Sequence, residues 1–80
     1  MKIKIYLDGE FNGEEHSELN ELEDVFIDWK LDTIPIKGDY LRLDYYYDKL
    51  PSFANESDWL VKHRTFESND IICLYLMYSA

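Results

Sequence analysis

Residues 34–43, with the sequence Ile-Pro-Ile-Lys-Gly-Asp-Tyr-Leu-Arg-Leu, decide how the rest of the chain is interpreted. Pro35 fixes its own φ angle and favours an extended conformation for the residue before it. Gly38 permits the positive φ angle that a tight corner requires. After the corner, two leucines alternate with polar residues, and such alternation is typical of a β-strand with one buried face. The stretch therefore predicts a rigid corner that leads into a strand over residues 39–45.

Strand-like alternation also precedes this corner. Residues 2–7 alternate isoleucine and leucine with lysine and tyrosine, and residues 23–32 alternate apolar with mainly polar side chains. An amphipathic helix over residues 17–31 is the alternative for the second segment, but apolar residues at period two, β-branched and aromatic among them, favour a strand. Residues 18–22 are then an irregular lead-in or a single helical turn, and the turn-rich residues 8–17 form a loop or a wide hairpin.

Two more strands are predicted towards the C terminus, after a loop with room for one helical turn. Residues 59–67 begin with large apolar side chains on one face, and a bulge near His63 and Arg64 would bring Phe66 to that face as well. Residues 71–78 are apolar on both faces. Such a strand is either central in its sheet or covered on its second face by another element or another copy of the chain.

Five strands joined mostly by turns predict one all-β domain over residues 1–80, either a small closed barrel or a strongly bent sheet. A chain of 80 residues is near the lower limit for independent folding, and its aromatic fraction of 16% supplies buried area that compensates for the small size. The predicted core comprises Ile3, Ile5, Leu7, Val25, Ile27, Trp29, Leu31, Leu41, Leu43, Trp59, Val61, Phe66, Ile72, Leu74 and Leu76.

The corner and the strands after it resemble a module found in small uncharacterised bacterial and phage-type proteins. The pattern is Ile34-Pro35-x-x-Gly38-Asp39-x-Leu41-x-Leu43, followed by Trp59-x-Val61-x-x-Arg64-x-Phe66 and an apolar terminal strand. It covers about residues 23–78 and is similar to SH3-like barrels. The resemblance implies a five-stranded SH3-like barrel with at most a short helical turn in the loops, a bacterial or mobile-element origin, and no catalytic residues.

The negative charge is concentrated in one segment. Between Asp8 and Asp28 there are nine acidic residues and no lysine or arginine, so this segment carries the whole net charge of −9. Affinity for nucleic acid comes from lysine and arginine, and direct binding of DNA or RNA is therefore not expected. A basic protein partner is one interpretation of the segment, and a solvated acidic loop that keeps a small domain soluble is the other.

The chain has a single cysteine, Cys73, so no intramolecular disulfide can form, and this favours a reducing compartment. Cys73 lies in an apolar strand-like run, which predicts a buried structural thiol. The alternating N-terminal residues do not have the continuous apolar run of a signal peptide, and no apolar run approaches the length of a membrane span. We therefore expect a cytoplasmic protein with no membrane partner.

The spacing of the polar residues indicates neither a metal site nor a catalytic site. His16, His63 and Cys73 are the only soft ligands and are widely separated, whereas zinc and calcium sites have characteristic close spacings. With 17 acidic residues, carboxylate pairs arise by chance and carry no information. We expect no metal, no cofactor and no enzymatic activity. A small hydrolase, the weakest hypothesis, would need a pocket that holds a carboxyl group with a strongly shifted pKa.

Three consecutive tyrosines are the main candidates for partner contact. Tyr45, Tyr46 and Tyr47 cannot all point inward from an extended segment, so one or two must be exposed. Aromatic side chains favour interfaces, and exposed loop aromatics in SH3-like barrels often form a peptide-binding groove. The alternative is a small barrel with a crowded aromatic surface.

The leading hypothesis is a non-enzymatic protein-interaction module that binds its partner through these tyrosines and through three residues of the acidic segment, Glu14, Glu15 and Glu18. A homodimer through residues 71–78 is a further expectation. The alternative function is an acidic nucleic-acid mimic that inhibits a DNA-binding protein, in phage defence or counter-defence. That function would need carboxylates spaced along the surface like phosphates.

Overall fold

Strands dominate the computed structural model, which describes residues 2–8, 10–11, 14–22, 25–68 and 70–79. The strands are Lys2–Asp8 (β1), Glu10–Phe11 (β2), Glu14–Glu15 (β3), Val25–Asp28 (β4), Tyr40–Leu41 (β5), Asp58–Phe66 (β6) and Ile71–Ser79 (β7). A single helical turn, Ser17–Asn20 (α1), and two 3-10 turns, Leu43–Tyr45 and Ser52–Ala54, lie between them. In the described part of the chain no helix has the length and apolar character needed to cross a membrane.

Five of the strands form one sheet in the order β4-β1-β7-β6-β5, curled into a half-barrel, and β2 and β3 form a separate short hairpin. This confirms the predicted all-β, five-stranded fold. Strand β7 pairs parallel with β1 and antiparallel with β6, so it is the central strand. A central position is one of the two arrangements expected for a strand with apolar residues on both faces. On the outer face of β7, Cys73 is buried, whereas Tyr75 and Met77 are 37% and 38% exposed.

The predicted corner is a tight turn that is bonded directly to the sheet. The backbone N–H of Asp39 donates to the carbonyl oxygen of Ile36 (3.0 Å), and the Asp39 carboxylate accepts from the Ile36 N–H (2.9 Å). Gly38 has a φ angle of 95°, and its N–H donates to the carbonyl oxygen of Val61 (2.9 Å). A β-carbon at this φ would strain the backbone, so glycine is required here for the backbone conformation alone.

The core lies inside the curled sheet, and most of the predicted core residues are buried in it. Strands β1, β4, β6 and β7 contribute alternate side chains, and Leu43 anchors the first 3-10 turn beneath them. Three predicted members differ: Leu7 is only partly buried, and Leu31 and Phe66 are 62% and 67% exposed. Leu19, Leu50 and Ala54 are buried and were not predicted.

The strand predicted over residues 23–32 is too long. Residues 23 and 24 lie outside the described part of the chain, and β4 ends at Asp28, opposite Lys2 at the start of β1. Beyond Asp28 the partner strand has ended, and the chain bends back. The Trp29 indole N–H donates to the carbonyl oxygen of Thr33 (2.9 Å), which leaves Leu31 at the outside of the bend.

The strand predicted over residues 39–45 is also too long, for the same reason. Only Tyr40 and Leu41 pair with β6, opposite Leu60 and Trp59, and β6 begins one residue before Trp59. Beyond Leu41, the described residues show no further pairing of this strand with β6. The chain forms the 3-10 turn Leu43–Tyr45 instead, and this turn buries Leu43.

The predicted bulge in β6 is present, because the register with β7 shifts between Val61 and His63. It places Phe66 directly opposite Ile72, and side chains of directly opposed residues lie on the same face of a sheet. Phe66 is therefore in phase with the core but lies at the end of the strand, where it is exposed.

Candidate functional site

The first 3-10 turn separates the three tyrosines. Leu43 is fully buried, and its carbonyl oxygen accepts from the N–H groups of Tyr46 (3.0 Å) and Tyr47 (2.9 Å). The tight turn leaves Tyr45 73% and Tyr46 40% exposed, while Tyr47 packs against the core. The prediction that one or two of these tyrosines are exposed is therefore confirmed.

The exposed ring of Tyr45 lies against the ion pair of Arg42 with Asp44. The Arg42 guanidinium donates to both Asp44 carboxylate oxygens, Nε to Oδ1 at 3.0 Å and Nη2 to Oδ2 at 2.8 Å. The guanidinium carbon lies 4.7 Å from the centre of the Tyr45 ring, which is cation–π geometry. The pKa of the Asp44 carboxyl group lies below its ordinary value, chiefly because Arg42 hydrogen-bonds to it. Both members of the pair are thus charged at neutral pH, and the guanidinium lies against the exposed Tyr45 ring.

The bend after β4 packs beside the exposed tyrosines. The Trp29 ring packs on Tyr46 with ring centres 5.0 Å apart. Leu31 lies beyond Trp29 at the outside of the bend, beside the two exposed tyrosines. Neither residue was predicted as a contact residue, because their strand periodicity indicated a core role for both.

Together these residues form a shallow surface depression, which we call the tyrosine groove. It is lined by Leu31, Tyr45 and Tyr46, with Asp28 and Lys30 at its rim, and has a volume of about 340 Å³. An adjoining depression of about 400 Å³ shares Asp28, Lys30 and Leu31 and extends past Trp29 to Ile34. Apolar and aromatic side chains bordered by charges of both signs are typical of a protein contact surface.

The predicted acidic residues lie elsewhere. Glu14, Glu15 and Glu18 are exposed, and the hairpin that carries the first two follows Asp8, at one end of β1. The tyrosine groove includes Asp28, which pairs with Lys2 at the other end of β1. At ~3.3 Å per residue these ends are about 20 Å apart. None of the three glutamates lines the depression beside Tyr45 and Tyr46.

The outer face of the sheet carries a second aromatic cluster. The rings of Tyr6 and Tyr75 are stacked with their centres 4.8 Å apart, and His63 meets the Tyr75 ring edge-on at 6.2 Å. A cleft of about 330 Å³ adjoins them, beside the ion pair of Lys62 with Asp8 (3.3 Å). Tyr75 and Met77 on the outer face of β7 are partly exposed, and the predicted homodimer through residues 71–78 stays a prediction.

The potential metal ligands His16 and Cys73 lie in separate surroundings. The His16 ring stacks on Phe53 with ring centres 4.7 Å apart. Burial raises the pKa of the Cys73 thiol to about 11, and a hydrogen bond with Glu67 adds to this shift. Within the described ranges, no group of three or more potential metal ligands comes together. Among the residues that the structure describes, two carboxyl groups have a displaced pKa, Asp44 and Glu67. Both are shifted downward, which is opposite to the shift that a general acid needs.

Comparison with known proteins adds no relationship to this geometry. No protein-family model, no curated protein and no solved structure matches the chain.

Proposed function

We propose that the protein is a non-enzymatic interaction module that binds a protein partner through the tyrosine groove. The observation that carries this proposal is the clustering of three exposed apolar side chains, Leu31, Tyr45 and Tyr46, on two loops that the core anchors. Trp29 and Leu43 fix these loops from below, so the surface is ordered before a partner binds. Preorganised aromatic residues lose little conformational entropy on binding.

The groove also favours a particular kind of partner segment. Asp28 and Lys30 lie at its rim, and their charged groups are 4.0 Å apart. Rim charges of this kind affect specificity and association rate more than affinity. A segment that inserts one or two apolar side chains between Leu31 and the tyrosines, with polar residues on either side, fits the groove. We place this interaction in the cytoplasm, since the single cysteine suits a reducing compartment.

Removing the two exposed tyrosine rings should strongly weaken partner capture. We expect Tyr45→Ala combined with Tyr46→Ala to lower the recovery of the partner in a pull-down about tenfold or more, because aromatic residues at the centre of interfaces dominate binding energy. Tyr40→Ala is the matched control, since Tyr40 is equally exposed but lies on β5, outside the groove. Unchanged recovery with the double variant, or an equal loss with the control, would count against the groove.

The alternative function, an acidic mimic of nucleic acid, is favoured by one observation in the β2–β3 hairpin. Glu10 lies directly opposite Glu15, and like charges that face each other across strands destabilise a sheet. A hairpin that places carboxylates directly opposite each other suits a surface that a DNA-binding protein recognises electrostatically. This proposal concerns the hairpin and α1 and leaves the groove without a role.

Reversing the charges of this region separates the two functions. If the mimic is correct, the combination of Glu14→Lys, Glu15→Lys and Glu18→Lys should lower partner recovery about tenfold or more, and the capture by the parent should decline steeply with salt. Reversal of the exposed residues Asp48, Asp58 and Asp70 gives the same change in net charge elsewhere. Equal effects of the two triple variants, or capture that is insensitive to salt, would contradict the mimic.

A further inference from the structure

One edge of the five-stranded sheet is only half covered. Strand β5 pairs with the first part of β6, and the corner continues this pairing as far as Val61, whose carbonyl oxygen accepts from Gly38 and whose N–H donates to Asp39 (both 2.9 Å). After Val61, no described residue pairs with the backbone of β6 on this side. The open edge comprises residues 62–66.

The bulge determines which backbone groups the open edge presents. The N–H and C=O of Val61 point away from β7, because both bond to the corner. Lys62 is the extra residue of the bulge, so His63 is the next residue to pair, opposite Tyr75. Residues of an antiparallel strand alternate between the two sides. His63 and Thr65 therefore bond towards β7, and Arg64 and Phe66 direct their N–H and C=O groups outward.

The side chains of the open edge lie on two different faces of the sheet. Arg64 and Phe66 lie on the inner face, opposite Leu74 and Ile72, and the guanidinium carbon of Arg64 lies 5.4 Å from the centre of the Phe66 ring. His63 and Thr65 lie on the outer face. All four side chains are exposed, and in a chain of net charge −9 this edge carries positive charge.

We propose that two copies of the chain associate by antiparallel pairing of this edge, about a two-fold axis beside Thr65 of each copy. In this register Arg64 of each copy faces Phe66 of the other. Both residues direct their backbone groups outward, so the two symmetry-related pairs form four backbone hydrogen bonds. The two half-barrel sheets then become one continuous sheet.

The side chains complement one another in the same register. Each Arg64 guanidinium lies over the Phe66 ring of the other copy, in place of its own. On the outer face, Thr65 faces Thr65, and each His63 faces Glu67 of the second copy. Cross-strand Thr–Thr pairs stabilise sheets, and an imidazole N–H of His63 can donate a hydrogen bond to the Glu67 carboxylate. The pKa of Glu67 lies below its ordinary value, chiefly because Cys73 and then Tyr6 hydrogen-bond to it, so its carboxylate is charged at neutral pH.

The neighbouring register is less favourable. A two-fold axis beside Arg64 would place the two Arg64 side chains opposite each other, and like charges in that position destabilise pairing. The alignment of Arg64 with Phe66 avoids this like-charge contact. This association does not involve the tyrosine groove and does not depend on the function proposed for it.

Sedimentation at increasing concentration tests the association. The mass should rise from 9.6 kDa towards twice that value between about 10 μM and about 1 mM, the range expected for a small interface. Arg64→Pro removes an outward N–H and the guanidinium but leaves the β7 ladder intact, and should weaken association about tenfold or more. Lys37→Pro is the matched control. It also replaces a cationic residue with proline, but at a turn position that accepts proline.

A constant monomer mass over the whole range would overturn the proposal, and so would equal association of Arg64→Pro and the parent. Cross-linking tests the register separately. In a Cys73→Ala background that is folded by circular dichroism, Thr65→Cys should form a covalent dimer on mild oxidation, because residues on the two-fold axis face each other. His63→Cys should not, because it faces Glu67. Equal cross-linking at the two positions would exclude this register.

Discussion

Replacing Trp59 with alanine should lower the free energy of unfolding by about 3–5 kcal/mol, the loss typical of a large aromatic residue removed from a core. Trp59 is fully buried, pairs with Leu41 on β5 and with Tyr78 on β7, and its ring meets Tyr78 edge-on at 5.2 Å. A domain of this size has a total stability of roughly 4–12 kcal/mol. Urea denaturation followed by circular dichroism should therefore show a variant close to the limit of folding.

Trp59→Phe is the informative control. The Trp59 indole N–H is buried and has no hydrogen-bond partner among the described residues, and a buried unpaired donor costs about 1–3 kcal/mol. Phenylalanine keeps an aromatic ring against Tyr78 and removes this donor, so part of its packing loss is offset. We expect a clearly smaller loss of stability than with alanine. Equal losses for the two variants would contradict this expectation.

The strands could be predicted from the sequence because each buries one face. Apolar residues therefore recur at every second position of a strand. Ile3 and Ile5 on β1, and Val25 and Ile27 on β4, follow this rule and are buried as predicted. Where strands end could not be predicted this way. The residue at which β4 stops is set by the start of β1 at Lys2, which is distant in the sequence, and a local pattern holds no information about it.

The candidate site was predictable to a similar extent. Three consecutive tyrosines cannot all be buried, so exposure of Tyr45 and Tyr46 followed from the chain alone. The groove could not be predicted from the chain alone, because it depends on Leu31, whose alternation with Trp29 is typical of a core residue. The indole of Trp29 closes a bend onto Thr33 instead, and this bond reverses the chain before Leu31 can reach the interior.

The acidic segment is the clearest case in which the structure changes an interpretation. From composition it could be a solvated loop whose only role is solubility. In the structure, α1 lies within this segment and inserts Leu19 into the core, where it is 1% exposed. A helix of four residues has no stability of its own in water, so α1 forms because Leu19 is buried. The backbone that carries the exposed Glu18 and Glu21 is consequently anchored to the core.

Replacing Leu19 with alanine should therefore lower the free energy of unfolding by about 2–5 kcal/mol, although it lies in the most acidic part of the chain. Leu31→Ala is the matched control, and because Leu31 is exposed its loss should stay within about 0.5 kcal/mol. The Glu21 N–H, which donates to the Ser17 carbonyl oxygen (3.0 Å), should also lose protection from hydrogen exchange in the Leu19 variant. A loss as small as that of the control, with Glu21 still protected, would show that α1 does not depend on burial of Leu19. If the loss is large, α1 is an integral part of the folded domain, and a partner that recognises Glu18 meets a backbone that the core anchors.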